Sequence, residues 1–457
     1  MAEAGTNQSA TEYSRRKFLS TSATVGAALT ASISIPKAVH AADDDTLKIA
    51  LVGCGKRGAG ATVQALRTAG PVKLWAMADA FDDRLQSTLD VLTSGESVSQ
   101  GSAAGLTDQI DVPPERRFVG LDAYRQAVDS GVDVVILAEP PGFRPQHLAY
   151  AVAAGKHVFM EKPVATDAPG VRQVLAAAEA AKRKNLKIGV GLQRHHQASY
   201  QECIARLHDG AIGDVRVLRC YWDGGFPAKT PFPRGDLTEL EYQVRNWYFF
   251  CWLSGDHICE QHIHNLDVCN WIKGAHPVEA HGCGGRQVRT GSEYGNIFDH
   301  HCVEYTYADG AKMMSQCRQI PGCRRFVGEE GHGTQGAVSL TTRGASIEPF
   351  SGEGWKSARP RSGTARVSPY QTEHDVLFDA IRNNKPHNEA EYGAQSTMTA
   401  ILGRLATYSG QLVTWEEAFS SDVQLTIDAR SWGDTPRELP NESGAYAIPV
   451  PGITQVV

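Results

Sequence analysis

The chain lacks what several large functional classes require. It has no stripe or block of Lys and Arg: 45 basic residues are outnumbered by 51 acidic ones, the formal net charge is −6, and both signs are spread along the sequence. A nucleic-acid surface concentrates positive charge on one face, so that class is excluded. No apolar run approaches the roughly 20 residues that span a bilayer. The nearest, Thr21–Ile35, is broken by Ser, Thr and Gly. No internal repeat is present. The ten cysteines stand singly, without a Cys-x-x-Cys pair, and are expected mostly as buried thiols. What remains is an ordinary globular composition, 42% apolar and 21% charged, on a chain long enough for two domains with proper cores.

Two features stand close together near the start. Ser14-Arg15-Arg16-Lys17-Phe18-Leu19, followed by the mildly apolar stretch and then Val39-His40-Ala41, reads as a twin-arginine export signal over residues 1–41. Left uncleaved, it would serve as an anchor. Almost at once, Leu47–Val52 leads into Gly53-Cys54-Gly55-Lys56-Arg57-Gly58, a dinucleotide-binding fingerprint. Twin-arginine export carries proteins already folded, and the outer compartment holds no useful pool of free nicotinamide nucleotide. The pairing predicts a periplasmic protein that travels with tightly bound NAD and regenerates it on site.

From Leu47 to about Gly191, strand-like runs alternate with helical patterns. The strands are expected at Ile49–Val52, Val72–Ala78, Val132–Leu137, His157–Met160 and Lys187–Val190, with helices at Gly58–Thr68, Pro145–Ala154 and Pro169–Arg183 among those between. This predicts an α/β Rossmann domain over 47–193, a doubly wound parallel sheet covered on both faces. The polar stretch Ser94–Pro114 reads as a surface insertion. After Gln193 the texture changes, with strands expected at Val215–Trp222, Val278–Gly285, His301–Tyr307 and Ala311–Gln316. An α+β domain over 194–432 with an open, largely antiparallel sheet follows from this pattern. Late helices at Gln371–Asn383 and Glu391–Ser409 are expected to pack back on the first domain, and 433–457 to form an extended arm.

Each fingerprint glycine has a physical task. Gly53 permits the tight turn, Gly55 lets a pyrophosphate approach the backbone, and Gly58 lets the helix lie close to the sheet. The diphosphate would rest on the helix N-terminus beside Lys56 and Arg57. Asp79 ends the second strand, where a carboxylate takes ribose hydroxyls and repels a 2′-phosphate, so NAD is expected over NADP.

Glu161-Lys162-Pro163 follows the strand His157–Met160 at the carboxyl edge of the sheet, where ligands bind. A lysine buried there can hydrogen-bond a substrate hydroxyl and has an adjustable pKa. With the glycine fingerprint, with Pro140-Pro141 and His147 after the fourth strand, and with a later acid/His segment, this chain resembles the glucose–fructose oxidoreductase and inositol dehydrogenase family (Gfo/Idh/MocA) from about Leu47 to Tyr408. The resemblance implies cofactor contacts at Pro140, Pro141, His147, Glu161, Lys162 and Gln193. It also implies a carbohydrate substrate and a homodimer or homotetramer.

The later segment runs from Gly255 to Asp267. The family places an Asp four residues before its catalytic His; here Glu260 precedes His264. In a continuous helix His257, Glu260, Gln261, His264 and Asp267 would share one polar stripe suited to a ligand cleft. The implied mechanism gives His264 the hydroxyl proton, has Glu260 orient the imidazole, and has Lys162 polarise the hydroxyl. Arg194, His195, Trp247, Tyr248, His257, Gln261 and Asp267 are candidates for substrate contact; Arg245, Asn246 and Arg318 could belong to the same pocket. His262-x-His264, His195-His196 and His300-His301 invite a metal reading, but residues two apart on a helix diverge, and no metal site is expected.

Three functions fit. The first is an exported NAD-dependent oxidoreductase acting on a sugar or glycoside ring hydroxyl, with the 3-position as the specific expectation. The second is an NAD-dependent glycoside hydrolase or lyase working by transient oxidation, elimination and re-reduction. The third is a non-catalytic sugar-binding protein on the same fold, against which intact Lys162 and His264 argue.

Overall fold

Strands with no polar face need cover on both sides, and the first sheet shows that rule directly: Val134–Leu137 is buried at every residue. The computed structural model describes residues 45–225, 229–358 and 368–457, so the export signal lies outside the described residues. Strands β1 (Leu47–Val52), β2 (Val72–Asp79), β3 (Arg117–Val119), β4 (Val134–Leu137), β5 (His157–Met160) and β6 (Ile188–Val190) form one sheet. They pair in the order β3-β2-β1-β4-β5-β6, all parallel. Helices α1 (Lys56–Leu66), α2 (Asp82–Ser94), α3 (Ala123–Asp129), α4 (Arg144–Ala153) and α5 (Ala168–Arg183) connect them. The strand order reverses between β1 and β4, and a crevice opens there at the carboxyl edge.

The stretch Ser94–Pro114 is not the surface insertion its polarity suggests. It forms a short hairpin and a turn, and Ala103, Leu106 and Val112 are buried in the cluster that holds Leu74 and Met77. Three spaced apolar side chains anchor it. They are too few, among Ser and Gly, to make a periodic signal.

After the turn Gln193–His196 and helix α6 (Ala198–His208), a second sheet begins. Its strands are β7 (Val215–Gly224), β8 (Glu279–Gly285), β9 (His300–Thr306), β10 (Lys312–Gln319), β11 (Phe326–Gly333), β12 (Gly336–Thr341), β13 (Gly344–Pro349), β14 (Trp355–Lys356) and β15 (Val413–Thr414). The order is β14-β13-β12-β11-β7-β10-β9-β8-β15, antiparallel throughout except for β7 beside β10. Burial alternates along β9, placing His301, Val303 and Tyr305 on the covered face.

Four further helices bind the sheets together: α7 (Glu239–Arg245), α8 (His257–Glu260), α9 (Ile263–Lys273) and α10 (Pro369–Arg382), followed by the long α11 (Ala390–Ser409). Helix α10 does return to the first sheet, with His374 against Phe159 at 4.1 Å and Gln371 Nε2 donating to the Gln64 carbonyl. Helix α11 lies between the sheets: Thr397 Oγ1 accepts from the Val164 amide, and Thr399 Oγ1 accepts from Asn270. Beyond Ser420 no helix or strand forms. That arm is held by side chains, with the Leu425 amide on Asp167 and Trp432 stacked on Phe81 at 4.9 Å. All ten cysteines are free thiols, seven of them buried. Among the described residues, no helix is long and apolar enough to cross a membrane.

Candidate functional site

The glycine turn behaves as its spacing requires. Gly53 has φ +91°, and a Cβ there would meet the Glu139 amide at 2.4 Å. A Cβ on Gly58 would strike the Gly53 carbonyl at 2.1 Å, so α1 can approach only without one. Above Gly55 there is open space, which leaves the α1 N-terminus accessible to a ligand. Asp79 ties this turn to the next loop, accepting from the Cys54 amide at 2.6 Å and the Phe81 amide at 2.9 Å. Burial raises its carboxyl above the ordinary value.

A cavity of about 130 Å³ runs from Gly53 and Gly55 past Asp79 to Glu139, Pro140 and His147. Pro141 is buried beside it, and Lys56 is exposed. His147 stacks on Tyr124 at 3.7 Å with Nδ1 3.3 Å from Glu139. Sequence reasoning missed Glu139. Its carboxylate is buried and lines the cavity; neither oxygen has a hydrogen-bond partner, although His147 Nδ1 at 3.3 Å and Arg144 Nε at 3.9 Å both face Oε1. A buried acceptor of this kind is costly unless a donor arrives, and ribose hydroxyls are such donors. Also missed were Arg84 and Lys229, which line the same cavity.

Arg245 and Trp247, candidates for the sugar pocket, line this cavity. Arg245 makes a two-pronged bond to Asp83, 2.8 Å on each side, and lies over Phe81 at 3.9 Å. Lys229 sits over Trp247 at 3.9 Å. This cavity is therefore lined in part by chain from outside the Rossmann domain. Asn246 is structural, bonding the Phe232 backbone from both ends of its amide.

Arg57 and Glu161 meet at 2.6 Å, joining the first turn of α1 to the Glu-Lys-Pro segment. The Lys162–Pro163 peptide is cis. Lys162 Nζ donates to the Glu260 backbone carbonyl and to its carboxylate Oε1 at 3.2 Å. Gln193 donates to Tyr370 at 3.1 Å.

The continuous helical stripe is not formed. Residues 257–273 split into α8 and α9, with a break at Gln261 and His262. The cause lies just upstream: Asp256 has φ +69° and ψ 165°, a region that only glycine enters cheaply. Its carboxylate is fixed by the His257 amide, the Phe298 amide at 2.9 Å and the Tyr408 hydroxyl at 2.7 Å. The consequence is a change of partners. Glu260 bonds Lys162 rather than orienting His264, correcting its expected role.

His264 is buried, lies over Trp222 at 5.9 Å, and has no partner at Nδ1. Desolvation, then the cations Lys162 and Arg194, hold its imidazole well below the ordinary pKa. It is neutral at neutral pH. Gln261 accepts from Gln319 at 2.8 Å, and the same Gln319 amide reaches the Tyr248 hydroxyl at 2.6 Å.

The other candidates are engaged elsewhere. Arg194 is buried against Glu329, which also takes Asn265 at 2.6 Å and Tyr200 at 3.1 Å. His195 and Asp267 bond each other at 2.9 Å, with Ser396 on the far oxygen and Trp271 stacked on the imidazole. His262 Nε2 pairs with Ser315 Oγ at 2.8 Å. His257 lies against His301, ring centres 4.9 Å apart. Asp256, His257 and His301 bring ligand-type atoms within 4.8 Å of one another, all buried. The Asp256 oxygens are already committed to three donors, so the cluster reads as the anchor of the α8 break.

Buried neutral histidines have a measurable consequence. His257 and His264 lie well below the ordinary pKa and His374 at about 3, in each case through desolvation first. Above about pH 6.5 neither folded nor unfolded chain protonates these rings, and they cost nothing. As pH falls through that value the unfolded chain takes up protons that the folded one refuses, and stability drops. The melting temperature is expected to decline steadily from pH 7 to pH 5. A flat profile in thermal denaturation at constant ionic strength would contradict this.

Comparison with known proteins accords with this geometry. The family model described as "Oxidoreductase family, NAD-binding Rossmann fold" matches residues 47–192. Inositol 2-dehydrogenase of Acidiphilium cryptum is 29% identical over 157 residues, covering 34% of this chain and 45% of that protein. Inositol 2-dehydrogenase of Rhizobium meliloti is 25% identical over 238 residues, 51% of this chain and 64% of that one. The chain thus spans about half the length of the curated relatives it matches. Among solved structures, levoglucosan dehydrogenase in complex with NADH and levoglucosan superposes with TM-score 0.63 at 16% identity, covering 81% of this chain and 99% of the other. Aldose–aldose oxidoreductase from Caulobacter crescentus gives 0.60 at 19%, with the same coverage. At such identities the likeness speaks for the fold, and the two-sheet architecture is common to them. Residues 47–192 thus match the NAD-binding Rossmann domain of the Gfo/Idh/MocA oxidoreductase family.

Proposed function

We propose that this protein is an exported NAD-dependent oxidoreductase that oxidises a ring hydroxyl of a sugar or glycoside, the 3-hydroxyl by preference, and recycles a cofactor it does not release. The observation that carries the reading is the meeting of Lys162, Glu260 and a neutral His264 beside the carboxyl edge of the parallel sheet. When bound, NAD supplies the acceptor for a hydride. Gly53, Gly55, Asp79, Glu139 and His147 would hold it, and the orphaned Glu139 carboxylate fits ribose hydroxyls.

The chain's own residues supply the rest. Lys162, kept in place by Glu260, donates a hydrogen bond to the reacting hydroxyl and polarises it. His264 accepts the hydroxyl proton on its uncharged ring as the hydride leaves. Trp222 over His264 offers a flat apolar surface to a sugar ring. Two features support retention of the cofactor: the roof of Lys229, Arg245 and Trp247, and the arm residue Trp432 stacked behind it. The relatives and structural neighbours named for inositol, levoglucosan and aldoses support a polyol or sugar substrate. Export by the twin-arginine machinery and assembly as a homodimer or homotetramer are parts of the same proposal.

The test is to purify the exported form, release any nucleotide with acid, and incubate the intact protein with glycosides without added NAD. The expected result is about one NAD per chain and a keto-sugar product formed when a second carbonyl compound is present. Release of a free sugar without net oxidation would assign the elimination and re-reduction cycle instead. Dependence on a continuous supply of soluble coenzyme would overturn recycling.

A further inference from the structure

Beyond Trp222 the molecule carries an open groove of about 640 Å³ that the catalytic scheme leaves unused. It is walled by the end of β7 (Trp222, Asp223), the start of β11 and the β12–β13 turn, and it reaches Gln261 and Gln319 at its inner end. Trp222 and Gln261 tie it to the reaction centre, since the first lies over His264 and the second follows Glu260. A substrate seated on His264 and extending outward enters this groove.

Its charge is opposite to that of the chain. Arg325 and Arg343 line it, against one carboxylate, Asp223. That carboxylate is already faced by a third arginine, Arg318, at 3.6 Å. Arg318 is spoken for, donating to the Arg324 carbonyl as well. The Arg325 guanidinium is different: it is exposed, lies beside Gly225, and has no acid or carbonyl partner among the described residues. A planar fork of this kind suits a carboxylate or a sulfate, which it can grip with two parallel bonds. On a chain of net charge −6, a positive end to the groove beside the reaction centre favours one sign of substrate.

We propose that the substrate is an anionic saccharide, a sugar or glycoside whose carboxylate or sulfate group lies on Arg325 while its reacting hydroxyl lies between Lys162 and His264. This rests on the sugar oxidoreductase reading and names its substrate class. A uronate and a sulfate ester present the same charge by different geometry, so both belong in the test.

The experiment compares matched sugars on the protein as purified with its nucleotide: a neutral glycoside, the corresponding glycuronide and a sulfated analogue. Initial rates give kcat and KM, and quenching of tryptophan fluorescence gives Kd independently of turnover. The wild type is expected to prefer one or both anionic forms by about tenfold or more in kcat/KM, through KM, with the advantage shrinking as salt is raised. Arg325→Ala, a substitution at an exposed position, is expected to remove most of that preference in both KM and Kd while leaving the neutral sugar within about twofold. Arg325→Lys keeps the charge but not the fork; it should retain part of the preference. Preference for the carboxylate or for the sulfate identifies the source of the charge. Equal turnover of neutral and anionic sugars, or equal losses on both in Arg325→Ala, would overturn the groove assignment and leave the oxidoreductase reading standing. Failure of every sugar to reduce the bound nucleotide would overturn both.

Discussion

Lys162→Ala is expected to lower kcat for hydroxyl oxidation by about three orders of magnitude, with the dinucleotide still bound. Two different parts of the molecule are at stake. On the proposed reading the nucleotide is held by the glycine turn, Asp79, Glu139 and His147, whereas the Lys162 ammonium bonds the backbone carbonyl and the carboxylate of Glu260. The ammonium is held by Glu260, and the site it faces is where the hydroxyl must lose its proton. Removing it leaves binding and deletes polarisation. His264→Ala should cost a similar factor, because it is a neutral imidazole whose Nδ1 has no protein partner. The two losses should not add: once either step fails, the other residue has little left to contribute. Glu260→Gln is the informative third variant. It keeps a carbonyl oxygen and the backbone contact to Lys162, so a loss of only about tenfold is expected. Near-normal rates in either alanine variant, measured by single turnover on the bound nucleotide, would remove that residue from the mechanism.

Much of this site is visible in the sequence because each part is local. Gly53, Gly55 and Gly58 fall within one turn, Asp79 closes the next strand, and Glu161 and Lys162 follow a strand whose apolar run is unbroken. The parallel sheet is legible for the same reason, since alternating strands and helices leave it no other cover. Three things were hidden, each by distance or by backbone. Nothing near Asp79 announces that Arg245, more than 160 residues later, reaches back over Phe81 to Asp83. Glu139 looks like any acid after a strand until the fold buries it without a partner. The break between α8 and α9 is invisible because His257, Glu260 and His264 have good helical spacing; the strained φ at Asp256, fixed by Phe298 and Tyr408 from distant elements, redirects Glu260 to Lys162. Strands β11 to β14 escaped for a simpler reason. Gly328, Gly331 and Gly333 dilute the alternation that marks a strand, and pairing with β7 and β12 restores it only in three dimensions.

On the proposed reading, Arg245→Ala is expected to turn a retained nucleotide into one that washes away, raising its dissociation rate by roughly tenfold. The side chain is 14% exposed and grips Asp83 with both prongs, while Asp83 itself is 60% exposed. Water therefore screens part of the pair, which argues for the lower part of the ~1.5–3 kcal/mol range of charge-assisted bonds. Each 1.4 kcal/mol is about tenfold in an equilibrium, and a roof acts mainly on departure. Arg245 also covers Phe81, which stacks on Trp432 of the arm, so Trp432→Ala should weaken the same roof by a smaller factor. Asp83→Asn keeps the shape and removes the charge; a release rate between wild type and Arg245→Ala would show that the ion pair and the stacking both contribute. The measurement is the fluorescence of bound NADH after dilution into excess NAD, read at two salt concentrations. Because the pair is half-exposed, high salt should move the wild type towards the variant and leave the variant unchanged. If Arg245→Ala releases nucleotide no faster than the wild type, the segment outside the Rossmann domain is only a wall, and retention must come from the orphaned Glu139 and the glycine turn alone.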